Sequence, residues 1–340
     1  MRTAFFVFIF ISNFLIAQQT DSTVSYYSSL LQEENIKQHL SILASDKFEG
    51  RETGTRGQKL AAEYIAAQFK KVGLSPYKDS SFFQSFYIKE RRATQKGLFK
   101  RKYVKLPTEN VIAYLPGTDL KEEFIVISAH YDHLGIIDGE IYNGADDDGS
   151  GTSALIEMAR VFVQAKANGN GPRRSVIFIA FAGEEKGLLG SAHYAKNPVF
   201  NLSQTVCDLN MDMIARVDKH YENDTSKYIY LIGADKLSTE LHEISEANNK
   251  ACCNFSIDYR YNDPKDINRF YYRSDHYNFA KKGVPVIFYF RGIHNDYHEP
   301  EDDIEKINFT TIKSVSQLVF YTAWEIANKE QRLRVDVNKK

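Results

Sequence analysis

From Asn110 onward the chain alternates between two hydrophobic rhythms. Short runs dense in Val, Ile and Phe occupy Asn110–Tyr114, Phe124–Ser128, Ser175–Phe181, Val206–Met211, Tyr228–Ile232 and Val286–Tyr289. Between them lie longer stretches with apolar residues at helical spacing, at Gly151–Ala165, Leu189–Lys196, Lys236–Asn249 and Ile312–Lys329. Near-continuous apolar runs suit strands covered on both faces, and the amphipathic stretches suit the helices that cover them. The pattern predicts an α/β fold with a mixed, mostly parallel sheet sandwiched by helices. Upstream, Ile36–Ala44 also has helical spacing. A glycine-punctuated loop covers Ser45–Gly57, and a second helix carries Leu60, Ala61, Tyr64, Ile65, Ala67 and Phe69 before ending near Gly73. No internal repeat or low-complexity linker divides the remainder, so residues 18–340 read as a single domain.

The start of the chain follows a different rule. Met1-Arg2-Thr3 is short and basic, Ala4–Ile16 is mostly apolar with Phe5, Phe6, Phe8, Phe10 and Phe14, and Ala17 closes the run with a small residue. This is the pattern of a cleavable signal peptide over residues 1–17. The run falls short of the ~20 apolar residues that a membrane-spanning helix needs. An exported protein is expected, periplasmic or extracellular, with no stable membrane insertion after cleavage.

Composition removes some partners. Lys and Arg number 43 against 44 Asp and Glu, a near balance that gives no reason to expect nucleic acid or an anionic membrane surface. The basic stretch Lys89–Lys105 reads as a solvated hairpin or loop. Three cysteines, Cys207, Cys252 and Cys253, do not make a disulfide framework. The adjacent pair has the option of a vicinal bridge, but small buried hydrophobes are the expectation.

Chemistry concentrates at the ends of the predicted strands, where an open α/β sheet places its active site. His130 and Asp132 follow an apolar strand, a spacing at which a carboxylate can support a metal-bound imidazole. Asp146-Asp147-Asp148 places three carboxylates in a row before a helix, an arrangement that is costly unless a cation neutralises it. Glu184-Glu185 follows a buried strand, and adjacent carboxylates can divide the work, one on a metal and one free for proton transfer. Asp212, in Asn210-Met211-Asp212-Met213, and His298, in Asp296-Tyr297-His298-Glu299-Pro300, complete two imidazoles and three carboxylates. That ligand set suits a pair of Zn²⁺ ions sharing one carboxylate. His133, His193, His276 and His294 also lie near these motifs and compete for the ligand roles. His276 reads as a turn residue and His294 as a supporting or exposed one.

These motifs carry a resemblance. Ala129-His130-Tyr131-Asp132-His133-Leu134-Gly135, the run Gly144–Gly151, Glu184–Ser191, Asn210–Met213 and Ser274-Asp275-His276 resemble metallopeptidase family 28, in order, from about Ile36 to Phe309. The resemblance implies an eight-stranded mixed sheet between helices and a zinc metallopeptidase, most simply an aminopeptidase, acting on peptides or small proteins. It implies that Asp147 bridges two Zn²⁺, that Glu185 and His298 complete one ion, and that His130 and Asp212 complete the other. Glu184 is then the general base, and Tyr271, or the adjacent Tyr272, helps hold the oxyanion. The peptide bond Asp147–Asp148 is expected to be cis. Only about 35 residues separate Leu74 from Asn110, too few for the protease-associated insertion of larger members. Two other outcomes have precedents within the family: a single-zinc glutaminyl cyclase and a non-catalytic, partner-binding relative. This chain keeps the full acidic run and all five ligand positions, which favours the peptidase. Oligomeric state, side-chain preference and the choice of chain end are not legible.

Overall fold

In the computed structural model the described residues are 22–77, 81–94, 97–225 and 227–337. The signal-peptide expectation for residues 1–17 lies outside them. The first helix, α1, covers residues 22–29. Helices α2 (Glu33–Leu43) and α3 (Arg56–Val72) follow, joined by a loop with a 3-10 segment at Asp46–Arg51.

Strands β1 (Ser75–Pro76), β2 (Phe83–Thr94), β3 (Gly97–Leu115) and β4 (Leu120–His130) come next, then a small hairpin of β5 (Gly135–Ile137) and β6 (Glu140–Tyr142). The rest alternates α4 (Gly151–Ala167), β7 (Arg174–Phe181), α5 (Leu189–Lys196), β8 (Thr205–Met211), β9 (Tyr228–Ile232), α6 (Thr239–Cys252) and β10 (Ser256–Asp258). It closes with α7 (His276–Ala280), β11 (Val286–Phe290) and α8 (Phe309–Asn328).

One sheet holds nine of these strands, in the order β1-β3-β7-β4-β8-β11-β9-β10, with β2 paired to β3. Its centre is parallel (β7 with β4, β4 with β8, β8 with β11), whereas β3 and β9 join it antiparallel. The sheet is therefore mixed as expected, with its parallel pairings confined to the middle and to the β9–β10 margin. The ninth strand is the two-residue β1.

Every residue of β7, β8, β9 and β11 is buried. Alternation sorts them onto two faces. Ile125, Ile127, Ala129, Val176, Phe178 and Ala180 join the core beneath α2, α3, α4, α6 and α8. Phe124, Val126, Ile177, Ile179 and Phe181 join the core with Tyr194 of α5 and Phe279 of α7. Each large side chain removed from water in this way contributes roughly 1.5–3 kcal/mol. Because β4, β7, β8 and β11 run in parallel, their C-terminal ends all open at one edge of the sheet.

Three differences from the sequence expectation have physical causes. The helix predicted from Lys236 begins at Thr239, because Ser238 caps it by accepting the Leu241 N–H at 3.1 Å. The strand predicted at Asn110–Tyr114 extends back to Gly97, because its polar half pairs with β2 from Lys89↔Lys105 outward. The basic stretch thus forms the arms of a hairpin. Cys252 and Cys253 are joined by a disulfide rather than being separate thiols. They stand where α6 ends, with Cys253 already out of helical geometry, so the adjacent side chains can meet.

His39 of α2 links to α3 through Nδ1 and the Tyr64 hydroxyl, 2.8 Å apart. Burial, helped by Lys71 and Arg160, lowers its pKa from 6.5 to about 4. The fold therefore keeps His39 neutral while the unfolded chain takes up a proton. This residue's stabilising contribution is full above pH 6.5 and is lost as pH falls toward 4. The gap in unfolding free energy between the wild type and His39→Gln is expected to narrow by about 1–2 kcal/mol between pH 7 and pH 4.5, in urea titrations at both pH values. An unchanged gap would contradict this.

Candidate metal centre

At the open edge of the sheet, the end of β4 delivers His130, the turn after β7 delivers Glu184 and Glu185, and the end of β8 delivers Asp212. The loop after β11 delivers His298, and the segment Ala145–Ser150 before α4 delivers Asp147. The peptide bond Asp147–Asp148 is cis, as the resemblance implies.

Asp147 sits at the middle. Its Oδ1 lies 3.2 Å from His130 Nε2, which is itself 3.5 Å from Asp212 Oδ1. Its Oδ2 lies 3.1 Å from His298 Nε2, which is 3.2 Å from Glu185 Oε2. Each oxygen of one carboxylate thus faces its own imidazole and its own second carboxylate. The two imidazole nitrogens have no hydrogen-bond partner, and neither does Glu185 Oε1.

Burial would raise the Asp147 pKa, but His130 and His298 hold it well below the ordinary range. Burial likewise opposes charge on His298, yet Asp147 and Glu185 raise its pKa to about 10. Two poles of convergent, partnerless donor atoms around a charged carboxylate are what a pair of cations would satisfy.

The surrounding contacts aim these groups. Asp212 Oδ2 accepts the Ser274 hydroxyl at 2.7 Å, which frees Oδ1, and Ser274 accepts from Asn210 Nδ2 at 2.9 Å. Asp148 comes within reach of His130 and Asp212, but its oxygens already accept the backbone N–H groups of His130, Gly151 and Met213. Asp302 accepts the N–H groups of Asp146 and Asp147, and Asp146 accepts those of Ala215 and Arg216. Burial, with Asp302 adding to it, raises the Asp146 pKa to about 7.

The role expected of Asp132 is filled differently. His130 Nδ1 meets the main-chain oxygen of Asp132 at 3.1 Å, while the nearer carboxylate oxygen is 3.9 Å away. That carboxylate instead accepts the Thr53 hydroxyl at 2.6 Å and the Glu184 N–H at 3.1 Å, so it orients the Glu184 turn.

Glu184, Asp147 and Asp212 line one cleft with Met213, Phe270, Arg273, Phe288, Phe290, Ile293 and Tyr297. Burial pushes the Glu184 pKa well up; His130 opposes this, and Glu185 and Asp212 reinforce it.

Tyr271 is not part of this wall. The 3-10 turn Phe270–Tyr272 points Phe270 into the cleft and sends Tyr271 and Tyr272 to a neighbouring depression beside Lys236, Tyr261 and Asn262. The tyrosine that reaches the cleft is Tyr297, stacked on His298 with ring centroids 3.8 Å apart. His276 serves the turn, its Nε2 donating to the Tyr271 carbonyl at 2.9 Å. His294 lies 3.6 Å from Asp146 and 3.7 Å from Asp302.

Two residues at the centre were given no role from sequence: His133, named only among the histidines that compete for the ligand positions, and Arg51. His133 is fully buried, with Nδ1 2.8 Å from Glu185 Oε1. Arg51, also buried, donates to the carbonyls of Leu43, Tyr131, Asn143 and Gly144, pinning the loop that enters Asp147. Its only signal was a place in the glycine-punctuated loop.

A model of peptidase family M28 matches residues 110–323, more than half of the chain. Aminopeptidase YwaD of Bacillus subtilis is 28% identical over 233 residues, which cover 66% of this chain and 46% of that protein. A probable zinc metalloprotease of Pyrenophora tritici-repentis is 24% identical over 360 residues, covering 92% of this chain and 70% of its own length. Among solved structures, the LapA aminopeptidase of Legionella pneumophila has the same fold, with a TM-score of 0.67 at 24% identity over 91% of this chain and 74% of that one.

Replacement of Arg51 tests the scaffold. Lysine carries the charge but cannot fork to several carbonyls. Arg51→Lys is expected to lower the unfolding free energy by about 2–4 kcal/mol and to weaken zinc retention against a chelator. Wild-type stability and zinc retention in this variant would remove Arg51 from the account.

Proposed function

This chain belongs to peptidase family M28, and on that footing we propose that it is a two-zinc aminopeptidase. The observation that carries the reading is the division of Asp147, with Oδ1 facing His130 and Asp212 and Oδ2 facing His298 and Glu185. The donor set fits zinc, which accepts imidazole nitrogen and carboxylate oxygen, and the orphaned buried nitrogens are the atoms it would engage. Bound there, zinc would supply Lewis acidity and a lowered water pKa.

The chain's own groups do the rest. Glu184 lines the cleft without serving either pole, and its elevated pKa suits proton transfer. It takes a proton from the attacking water and returns it to the departing amine. Arg273 and Tyr297 are the donors on the same wall available to a carbonyl oxygen in place of Tyr271. Met213, Phe270, Phe288, Phe290 and Ile293 give the cleft an apolar lining, which fits an apolar side chain on the terminal residue of the peptide.

We also propose that residues 18–340 act as one catalytic unit and that the protein is exported after cleavage at Ala17. Among the described residues no helix is long and apolar enough to cross a membrane.

The test is a digest of a mixed peptide library read by mass spectrometry. Removal of single residues from the amino end is expected, with Leu, Met and Phe preferred over Asp and Lys at least tenfold in kcat/KM. Trimming from the carboxy end, or cyclisation of amino-terminal Gln without hydrolysis, would overturn the reading. Glu184→Gln should lower kcat about 10²–10⁴-fold at near-normal zinc content. Loss of zinc in that variant, but not in Glu185→Gln, would reverse the roles of the two glutamates.

A further inference from the structure

We propose that His133 is a sixth protein ligand of the centre, binding through Nδ1 the ion that Glu185 and His298 face. The proposal rests on the two-zinc reading and extends it: one ion would carry two imidazoles and the other, beside Asp212, only His130.

Geometry carries it. His133 Nδ1 stands 2.8 Å from Glu185 Oε1 and 3.8 Å from Asp147 Oδ2. Two atoms bound to one zinc can be no further apart than about 4.3 Å, the sum of a Zn–N and a Zn–O bond. Both separations fall inside that limit. The 2.8 Å contact also lacks the directionality of a hydrogen bond, since His133 Nδ1 and Glu185 Oε1 both remain without a hydrogen-bond partner. A ring held only to orient Glu185 would aim its N–H at that oxygen. Here nitrogen and oxygen are instead placed as neighbours around a common point.

The ring is fully buried, out of contact with bulk solvent. The ring is also fixed in place. The His133 N–H donates to the Arg51 carbonyl at 3.3 Å. Gly144 leaves room for the imidazole, since a Cβ at that position would come within 2.4 Å of His133 Cγ. His298 meets the same carboxylates from another direction, with the two rings edge to face at 5.7 Å between centroids.

The test uses the full-length protein with ¹⁵N-labelled histidine, stripped of metal and reloaded with ¹¹³Cd²⁺ as the probe. Scalar coupling between cadmium and a ring nitrogen reports a direct bond and does not depend on activity. Three coupled histidines are expected, falling to two in His133→Gln, where cadmium affinity drops at least tenfold at one site and is unchanged at the other. Two coupled histidines in the wild type, unaltered by His133→Gln, would overturn the sixth ligand and leave the two-metal reading intact. No coupled histidine, or only one, would overturn both. Should His133→Gln fail to fold, the wild-type count decides by itself.

Discussion

The centre depends on keeping one carboxylate, Asp147, charged while it is almost wholly removed from water. Burying an ionised carboxylate alone is prohibitive. Here each of its oxygens faces a separate imidazole, and its backbone is held by Asp302 from the loop before α8. Fully buried Arg51 fixes the carbonyls on the approach to it. The acidic run therefore cannot move as a loop would. Its position is set from β4, from the chain between α2 and α3, and from the segment after β11 at once.

The sheet makes this convergence possible. Four parallel strands end at one edge, so residues far apart in sequence arrive there without long connections. Their interiors are buried at nearly every position toward that edge, which leaves little freedom in register. A one-residue slip of β8 would exchange the faces of Asn210 and Met211 and break the Asn210–Ser274–Asp212 chain of hydrogen bonds. Core packing and site geometry are in this sense one constraint: Phe181 and Met211 are core residues, and each lies within a few positions of a functional carboxylate.

Much of this was legible in the chain. The strands at Ser175–Phe181 and Tyr228–Ile232 announce themselves as unbroken apolar runs, and the helix at Leu189–Lys196 was bounded correctly by its spacing. The candidate ligand positions stood out partly because like charges placed together, as in Asp146-Asp147-Asp148, have few structural reasons to exist, and partly through the motifs that carry the family resemblance. What escaped depends on direction in space. Tyr271 and Phe270 are adjacent, and only the 3-10 turn decides which one enters the cleft. Asp132 stands two residues from His130, yet its main-chain oxygen rather than its carboxylate makes the contact, because Thr53 and Glu184 claim the carboxylate. His133 and Arg51 act across long sequence separations, which no local pattern reports.

The central claim is that Asp147 is shared between two cations, one on each oxygen. Diffraction at the zinc absorption edge from crystals grown with zinc tests it most directly. Two anomalous peaks about 3.5–4 Å apart are predicted, one at bonding distance from Asp147 Oδ1 beside His130 and Asp212, the other at bonding distance from Oδ2 beside His298 and Glu185. A single peak at saturating zinc, or two peaks of which Asp147 touches only one, would contradict it.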